Sequence, residues 1–154
     1  MTIKIGINGL GRIGRMIIRS LIENNNKKVE IKHINSRSNA EVVASLLKYD
    51  SIHGKFNCKI KYGNNYLSIN GKKITFSQYS NLSEIKWKNF DVDYVLECTG
   101  KFNSKDKLTT HLKNGAKKVI VSAPCKNADK TIVYGVNQKS INKNDLIISA
   151  ASCT

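Results

Sequence analysis

Short apolar runs alternate with helix-spaced apolar positions along the first third of the chain. Residues 3–8 and 29–35 form two apolar runs of strand length. Between them, apolar residues recur at the spacing of about 3.6 that predicts a helix over roughly residues 12–24: Ile13, Ile17, Ile18, Leu21 and Ile22. Asn39 can cap a second helix, ending near Lys48, whose apolar residues are expected on one face: Val42, Val43, Leu46 and Leu47. The strand–helix–strand–helix order is typical of a parallel sheet.

The middle of the chain follows a different pattern. Three short runs at residues 58–62, 66–69 and 73–79 are separated by turn residues, and the second gap is Asn70-Gly71, a strong hairpin signal. Strands are predicted again at residues 92–98, 118–122, 131–134 and 146–149, with a helix near 105–114 that Ser104 can cap. The predicted fold class is therefore α/β: a Rossmann-type, mostly parallel sheet with a β-hairpin insertion around residues 57–79, in one domain over residues 1–154.

Composition narrows the function classes. The net charge is +15, but the lysines are scattered among asparagines rather than gathered into a basic stripe with aromatic residues, so specific nucleic-acid binding is not expected. The apolar runs are too short to span a bilayer and no signal peptide is recognisable, which favours a cytoplasmic protein. The cysteines form no CxxC pair and predict neither a metal site nor a disulfide framework: Cys58, Cys98, Cys125 and Cys153.

Gly9, Gly11 and Gly14 form a Gly-x-Gly-x-x-Gly pattern between the first predicted strand and the first predicted helix. In a dinucleotide site the first glycine permits a tight turn, the second lets a pyrophosphate approach the backbone, and the third lets the helix pack closely. The helix N-terminus then offers N–H groups to the phosphates. We therefore expect an adenine dinucleotide site here; the alternative is an ordinary strand–helix turn.

The end of the second strand bears on which dinucleotide binds. An NAD-specific site carries an acidic residue about 20 residues after the glycines, to bind the ribose hydroxyls. Here the strand runs into Asn35, Ser36 and Arg37. Without a carboxylate, a 2′-phosphate is not repelled, and Arg37 can pair with it or else point into solvent. The expected cofactor is NAD or NADP, with NADP at least tolerated.

Cys153 is the candidate nucleophile. It follows an apolar strand and the small residues Ala150, Ala151 and Ser152, which would place its thiol at the carboxyl edge of the sheet, where open α/β folds bind ligands. The alternative is an inert buried thiol. Nothing in the sequence indicates that His53 or His111 reaches it, and His111 is expected to be a solvated or packed side chain.

Four segments, in order, resemble landmarks of phosphorylating glyceraldehyde-3-phosphate dehydrogenase: residues 7–15, 47–56, 97–102 and 152–154. The resemblance covers the whole chain, but only the N-terminal, cofactor-binding half of that enzyme. It implies that Cys153 attacks the aldehyde of glyceraldehyde 3-phosphate, that hydride passes to the nicotinamide, and that phosphate releases the thioester as 1,3-bisphosphoglycerate.

The glycine pattern, the end of the second strand and the resemblance together give the expected site residues. Cofactor contacts are expected at Asn8, Gly9, Gly11, Arg12, Ile13, Gly14, Asn35, Ser36, Arg37, Thr99, Gly100 and Ser122. Substrate contacts are expected at Ser152, Cys153 and Thr154. Three positions depart from the family pattern: Ser36 replaces an aspartate, Ser80 an arginine and Ala150 an asparagine.

The family's general-base histidine and phosphate-binding arginines belong to its second half, so the C-terminal catalytic domain is expected to be absent here. We expect little turnover from these 154 residues alone, and a homotetramer for the full-length parent. Two alternatives stay open: the corresponding half of erythrose-4-phosphate dehydrogenase, and a non-catalytic module that binds nucleotides or RNA.

Overall fold

The computed structural model describes residues 2–152. Within that range the α-helices are α1 (Arg12–Glu23), α2 (Ala40–Lys48) and α3 (Lys105–Lys113). The strands are β1 (Ile3–Asn8), β2 (Val29–Asn35), β3 (Tyr49–Asp50), β4 (Gly54–Lys55), β5 (Ile60–Gly63), β6 (Tyr66–Ile69), β7 (Lys72–Ser77), β8 (Tyr94–Glu97), β9 (Lys118–Val121), β10 (Lys130–Thr131) and β11 (Ile147–Ser149). Short 3₁₀ helices lie at Leu82–Glu84, Trp87–Phe90 and Gln138–Ser140.

One large sheet organises the described part of the chain, with nine strands in the order β10-β11-β9-β8-β1-β2-β7-β6-β5. Neighbours from β10 to β7 run parallel, whereas β6 runs antiparallel to both β7 and β5. The mostly parallel Rossmann-type sheet is therefore confirmed. The predicted hairpin insertion joins this sheet, because β7 pairs in parallel with β2. The small β3–β4 pair, which the sequence pattern did not predict, is separate and antiparallel.

Helix α2 begins as predicted but buries a different face. The Asn39 side chain accepts a hydrogen bond from the Val42 backbone N–H at 2.9 Å, which caps the helix. The prediction of a single apolar face was wrong for Val42 and Leu46, which remain 44% and 43% exposed. The buried stripe follows i, i+3, i+4, i+7 spacing and includes two alanines: Ala40, Val43, Ala44 and Leu47.

Two other predictions near the end of the sheet need correction. The strand predicted at residues 131–134 is only Lys130–Thr131, because the chain turns soon afterwards at Gly135, whose φ is +90°. Ser104 does precede α3, but its side chain makes no capping hydrogen bond. Within residues 2–152 no helix has the length and apolar character needed to cross a bilayer. The same residues contain no cluster of His, Cys, Asp and Glu that could hold a metal ion.

Candidate functional site

A cavity of about 540 Å³ opens at the carboxyl ends of β1, β2, β7 and β8. This edge is where open parallel sheets bind their ligands. Its lining residues are Asn8, Gly9, Leu10, Gly11, Arg15, Asn35, Ser36, Arg37, Ser38, Leu46, Tyr79, Ser80, Leu82, Cys98, Thr99, Lys101 and Phe102.

The three glycines between β1 and α1 serve different purposes. Gly9 has φ +96°, and a Cβ there would lie 2.8 Å from the Thr99 backbone nitrogen. A Cβ on Gly14 would lie 2.2 Å from the Gly9 carbonyl oxygen, so a side chain at either position collides with the protein itself. A Cβ on Gly11 would meet no atom within 4 Å among the residues that the structure describes, apart from its own chain neighbours. Packing therefore does not require a glycine at position 11. The missing side chain leaves open space beside the cavity.

The N-terminus of α1 carries uncompensated positive charge. Gly11 is the N-cap residue and offers no side-chain oxygen, and the first turn contains no acidic residue. The helix dipole and the first-turn N–H groups therefore remain available to an anion. Arg15, which the sequence reasoning did not single out, lines the same cavity and donates to the Leu10 carbonyl at 3.1 Å. The sequence feature that could have indicated Arg15 is its position one helical turn after Gly11.

The charge of the lining is one-sided. Among the described residues that line the cavity, the charged ones are Arg15, Arg37 and Lys101, and none is acidic. Ser36 is buried at the end of β2, where its backbone N–H donates to the Ser77 carbonyl at 3.0 Å. The cavity therefore attracts anions along its length and lacks the carboxylate that would repel a 2′-phosphate.

A row of hydrogen-bonded polar side chains lies at the strand ends that border the cavity. It consists of Glu97, Asn8, Asn35 and Ser77, the last residues of β8, β1, β2 and β7, and we call it the strand-end row. Asn8 Nδ2 donates to Glu97 Oε2 at 2.7 Å, and Asn35 Nδ2 donates to Asn8 Oδ1 at 2.8 Å. The Ser77 hydroxyl lies 2.8 Å from Asn35 Oδ1. Three of these four side chains are buried, so the bonds compensate polar groups removed from water.

Sequence reasoning missed Glu97 and misjudged what His111 does. His111 is packed, as one of the two expectations had it, but it also bonds to Glu97 Oε2 through Nε2 at 3.0 Å. Glu97 Oε1 accepts from the Thr99 backbone N–H at 2.9 Å. The available signal was an acidic residue ending an otherwise apolar strand.

Cys98 forms part of the cavity lining but is poorly suited to nucleophilic chemistry. Burial raises the pKa of its thiol to about 12, so the reactive thiolate is scarce at neutral pH. Burial also raises the pKa of Cys125.

The structure brings seven of the expected cofactor residues to the cavity: Asn8, Gly9, Gly11, Asn35, Ser36, Arg37 and Thr99. Arg12 and Ile13 lie exposed at the start of α1, and Gly14 packs beneath the turn. Gly100 follows Thr99 with φ +70°, and Ser122 is half-buried just after β9. These five do not belong to the cavity lining.

The substrate residues can be placed only in part. Ser152 lies past the end of β11, where its backbone N–H donates to the Ala150 carbonyl at 2.8 Å. The chain turns at Ala151, whose φ is +66°. Cys153 and Thr154 lie outside the described residues.

The sequence is similar to proteins of one family throughout. It is 44% identical over 154 residues to glyceraldehyde-3-phosphate dehydrogenase of Cereibacter sphaeroides, covering all of this chain and 46% of that protein. It is 44% identical to glyceraldehyde-3-phosphate dehydrogenase 2 of Bacillus subtilis, covering all of this chain and 45% of that protein. The chromosomal enzyme of Cupriavidus necator is 46% identical, again over all of this chain. The chain thus spans about half the length of these curated relatives.

The sequence model of one protein family matches most of the chain. Its description is "Glyceraldehyde 3-phosphate dehydrogenase, NAD binding domain", and the match covers residues 3–105. That range contains β1 to β8, the glycine turn and every residue lining the cavity. The chain therefore belongs to the glyceraldehyde 3-phosphate dehydrogenase NAD-binding domain family.

Proposed function

We propose that this chain binds an adenine dinucleotide in the cavity at the strand ends, as the NAD-binding half of a phosphorylating glyceraldehyde-3-phosphate dehydrogenase. One observation carries the proposal: Gly11 opens onto the cavity at an uncapped helix N-terminus, and within residues 2–152 nothing but its chain neighbours lies within 4 Å of where a Cβ would be. A pyrophosphate needs that combination of open space, N–H donors and positive charge.

The binding mode follows from the order of the residues that line the cavity and of those that lie next to it. The pyrophosphate lies over residues 9–14, where the backbone N–H groups of Arg12 and Ile13 face it. The adenosine lies toward Asn35, Ser36 and Arg37 at the end of β2. The nicotinamide lies toward Thr99, Gly100 and Ser122, beyond the ends of β8 and β9. Lys101 and Arg15 add positive charge near the phosphates.

The cavity binds NADP at least as readily as NAD. The described lining contains no carboxylate to hold the ribose hydroxyls and to repel a 2′-phosphate. Arg37 borders the cavity immediately after Ser36 and supplies a guanidinium that can pair with that phosphate.

In the full-length parent, Cys153 acts as the nucleophile, with Ser152 and Thr154 beside the substrate. The Cys153 sulfur adds to the aldehyde carbon of glyceraldehyde 3-phosphate to give a thiohemiacetal, and loss of a hydride from its carbon and a proton from its hydroxyl converts this adduct into a thioester. The bound dinucleotide supplies the hydride acceptor. Inorganic phosphate then attacks the thioester, which frees the thiol and releases 1,3-bisphosphoglycerate. The parent is a cytoplasmic homotetramer, and these 154 residues alone turn over little or no substrate.

Calorimetric titration at two salt concentrations tests the proposal. NAD, NADP and a short single-stranded RNA are each added to the chain at about 50 mM and about 200 mM salt. Dinucleotide affinity should fall by less than about tenfold between the two, because few phosphates are contacted, whereas polyanion binding falls far more steeply. Steeply salt-dependent RNA binding without any dinucleotide binding would overturn the proposal in favour of a nucleic-acid module.

A further inference from the structure

The carboxamides of the strand-end row are all oriented in one sense, and Glu97 determines which. We propose that Glu97 is a positioning residue of the dinucleotide site: its carboxylate orients the carboxamides of Asn8 and Asn35 and thereby holds Thr99 and Tyr79, on two walls of the cavity, in place. The inference rests on the proposed dinucleotide binding. It adds a residue that contacts no ligand, because Glu97 is 1% exposed and does not line the cavity.

Glu97 receives hydrogen bonds on both oxygens. Asn8 Nδ2 and His111 Nε2 approach Oε2 at 2.7 and 3.0 Å. The Thr99 backbone N–H donates to Oε1 at 2.9 Å, and the Thr99 hydroxyl bonds to the same oxygen. An ionised carboxylate offers acceptors on both sides, which an amide of the same shape does not.

His111 is bound in a way that leaves it only one role toward Glu97. The Trp87 indole Nε1–H donates to His111 Nδ1 at 2.8 Å, so the imidazole proton lies on Nε2 and is donated to Glu97. Trp87, His111 and Glu97 are each at most 1% exposed. Water therefore cannot replace a partner that is lost.

The orientation passes along the row to the far wall. Because Asn8 directs its Nδ2 at Glu97, its Oδ1 faces Asn35 and accepts from Asn35 Nδ2 at 2.8 Å. Asn35 Oδ1 then accepts from the Tyr79 backbone N–H at 2.9 Å, and Asn35 Nδ2 also donates to the Tyr79 carbonyl at 3.0 Å. Both backbone groups of Tyr79 are thus held by one carboxamide. Tyr79 and Ser80 border the cavity beside Ser36 and Arg37.

Glu97→Gln breaks this arrangement in either orientation of the new carboxamide. If its NH₂ group faces Thr99, the Thr99 backbone N–H loses its acceptor. If the NH₂ group faces Asn8, the Asn8 and Asn35 carboxamides must reverse, and Asn35 Nδ2 then opposes the Tyr79 N–H. One of the two backbone amides should exchange at least about tenfold faster with solvent, as expected for one lost hydrogen bond. Exchange at both Thr99 and Tyr79 as slow as in the unmodified chain would overturn the proposal.

Moving the carboxylate to the neighbouring strand provides a rescue. In the double variant, Asn8→Asp with Glu97→Gln, the new carboxylate on β1 can accept from both the new carboxamide on β8 and Asn35. The oxygen of that new carboxamide still accepts from Thr99. Each single variant should weaken NAD binding about tenfold, and the double variant should bind NAD more tightly than either single one. It should not reach the affinity of the unmodified chain, because the His111 Nε2–H then faces an NH₂ group instead of an acceptor. A double variant that binds more weakly than either single one contradicts the proposal.

Two control variants separate positioning from general damage. Glu30→Gln removes an exposed carboxylate on β2, and Val119→Ala loosens the core on β9 away from the row. Neither should change NAD affinity, although Val119→Ala lowers stability. Equal loss of affinity in Val119→Ala would show that Glu97 acts through stability alone, which overturns the proposal.

One measurement needs no variant and no ligand. The Asn8 carboxamide protons and the His111 Nε2 proton converge on Glu97 Oε2, so the unmodified chain should show a nuclear Overhauser effect between them. Its absence would mean that the Asn8 carboxamide faces the other way in solution, and the proposal would be wrong. If the chain instead shows this contact but binds no dinucleotide, the proposed function fails while the orientation set by Glu97 stands.

Discussion

Replacing Gly11 tests the placement of the pyrophosphate with little damage to the fold. Gly11 has φ −69° and ψ −161°, an extended conformation that any residue adopts, and an added Cβ meets no atom of the described residues within 4 Å, its chain neighbours aside. Valine is a poorer N-cap residue than glycine, which should lower the free energy of unfolding by about 1 kcal/mol. Gly11→Val should therefore affect ligand binding much more than stability.

The expected loss of binding follows from the contacts that a branched side chain would block. A hydrogen bond from a backbone N–H to a charged phosphate contributes about 1.5–3 kcal/mol, and the turn offers at least two such donors. Losing two of them costs about 3 kcal/mol or more, which is an affinity loss of about hundredfold or greater. Gly11→Ala, with the smaller side chain, should lose less.

Gly14→Ala is the contrasting variant. Its Cβ would lie 2.2 Å from the Gly9 carbonyl oxygen. Neither the Gly14 backbone nor the Gly9 carbonyl can move away without shifting the turn. The free energy of unfolding should fall by about 3 kcal/mol. Calorimetry with NAD and urea unfolding on all three variants separate the two effects. A folded Gly11→Val chain that binds NAD with unchanged affinity would refute the placement of the pyrophosphate over this turn.

Three further expectations concern single side chains. Ser36→Asp should shift preference from NADP toward NAD by at least about tenfold in calorimetry, because a carboxylate binds the ribose hydroxyls and repels the 2′-phosphate; an unmodified chain that already binds NAD more than about tenfold better would contradict this. Burial lowers the pKa of His33 from 6.5 to about 4, so the unfolded chain binds a proton that the folded chain does not. The free energy of unfolding should therefore be highest above pH 6.5 and should fall by up to about 3 kcal/mol as the pH drops to about 4. Urea unfolding at several pH values should show this loss reduced in His33→Gln and retained in the exposed-histidine control His53→Gln. Because burial raises the pKa of Cys98 to about 12, iodoacetamide should not label it in the folded chain at about pH 8 but should do so in urea, as mass spectrometry of peptides would show.

The local pattern of the sequence determined most of the secondary structure. The apolar runs at residues 3–8 and 29–35 are β1 and β2 in the structure, and the predicted helix over residues 12–24 is α1. The Asn70-Gly71 turn does join two antiparallel strands. These features could be predicted because they depend on periodicity and turn chemistry within a few residues. The glycine pattern likewise located the turn beneath the cavity.

Only the tertiary structure decided which polar side chains meet around that turn. Glu97 contacts Asn8 because β8 and β1 pair in parallel with these two residues in register, although they lie 89 positions apart along the chain. The same pairing across β1, β2 and β7 brings Asn35 to Asn8 and Tyr79 to Asn35. No local periodicity encodes a register between distant strands, so the sequence could mark Glu97 as an unusual acidic residue but could not predict its bonds to Asn8 and His111. The exposed Val42 and Leu46 have the same origin, because packing of α2 against β5 and β6, not hydrophobicity alone, selects the face that is buried.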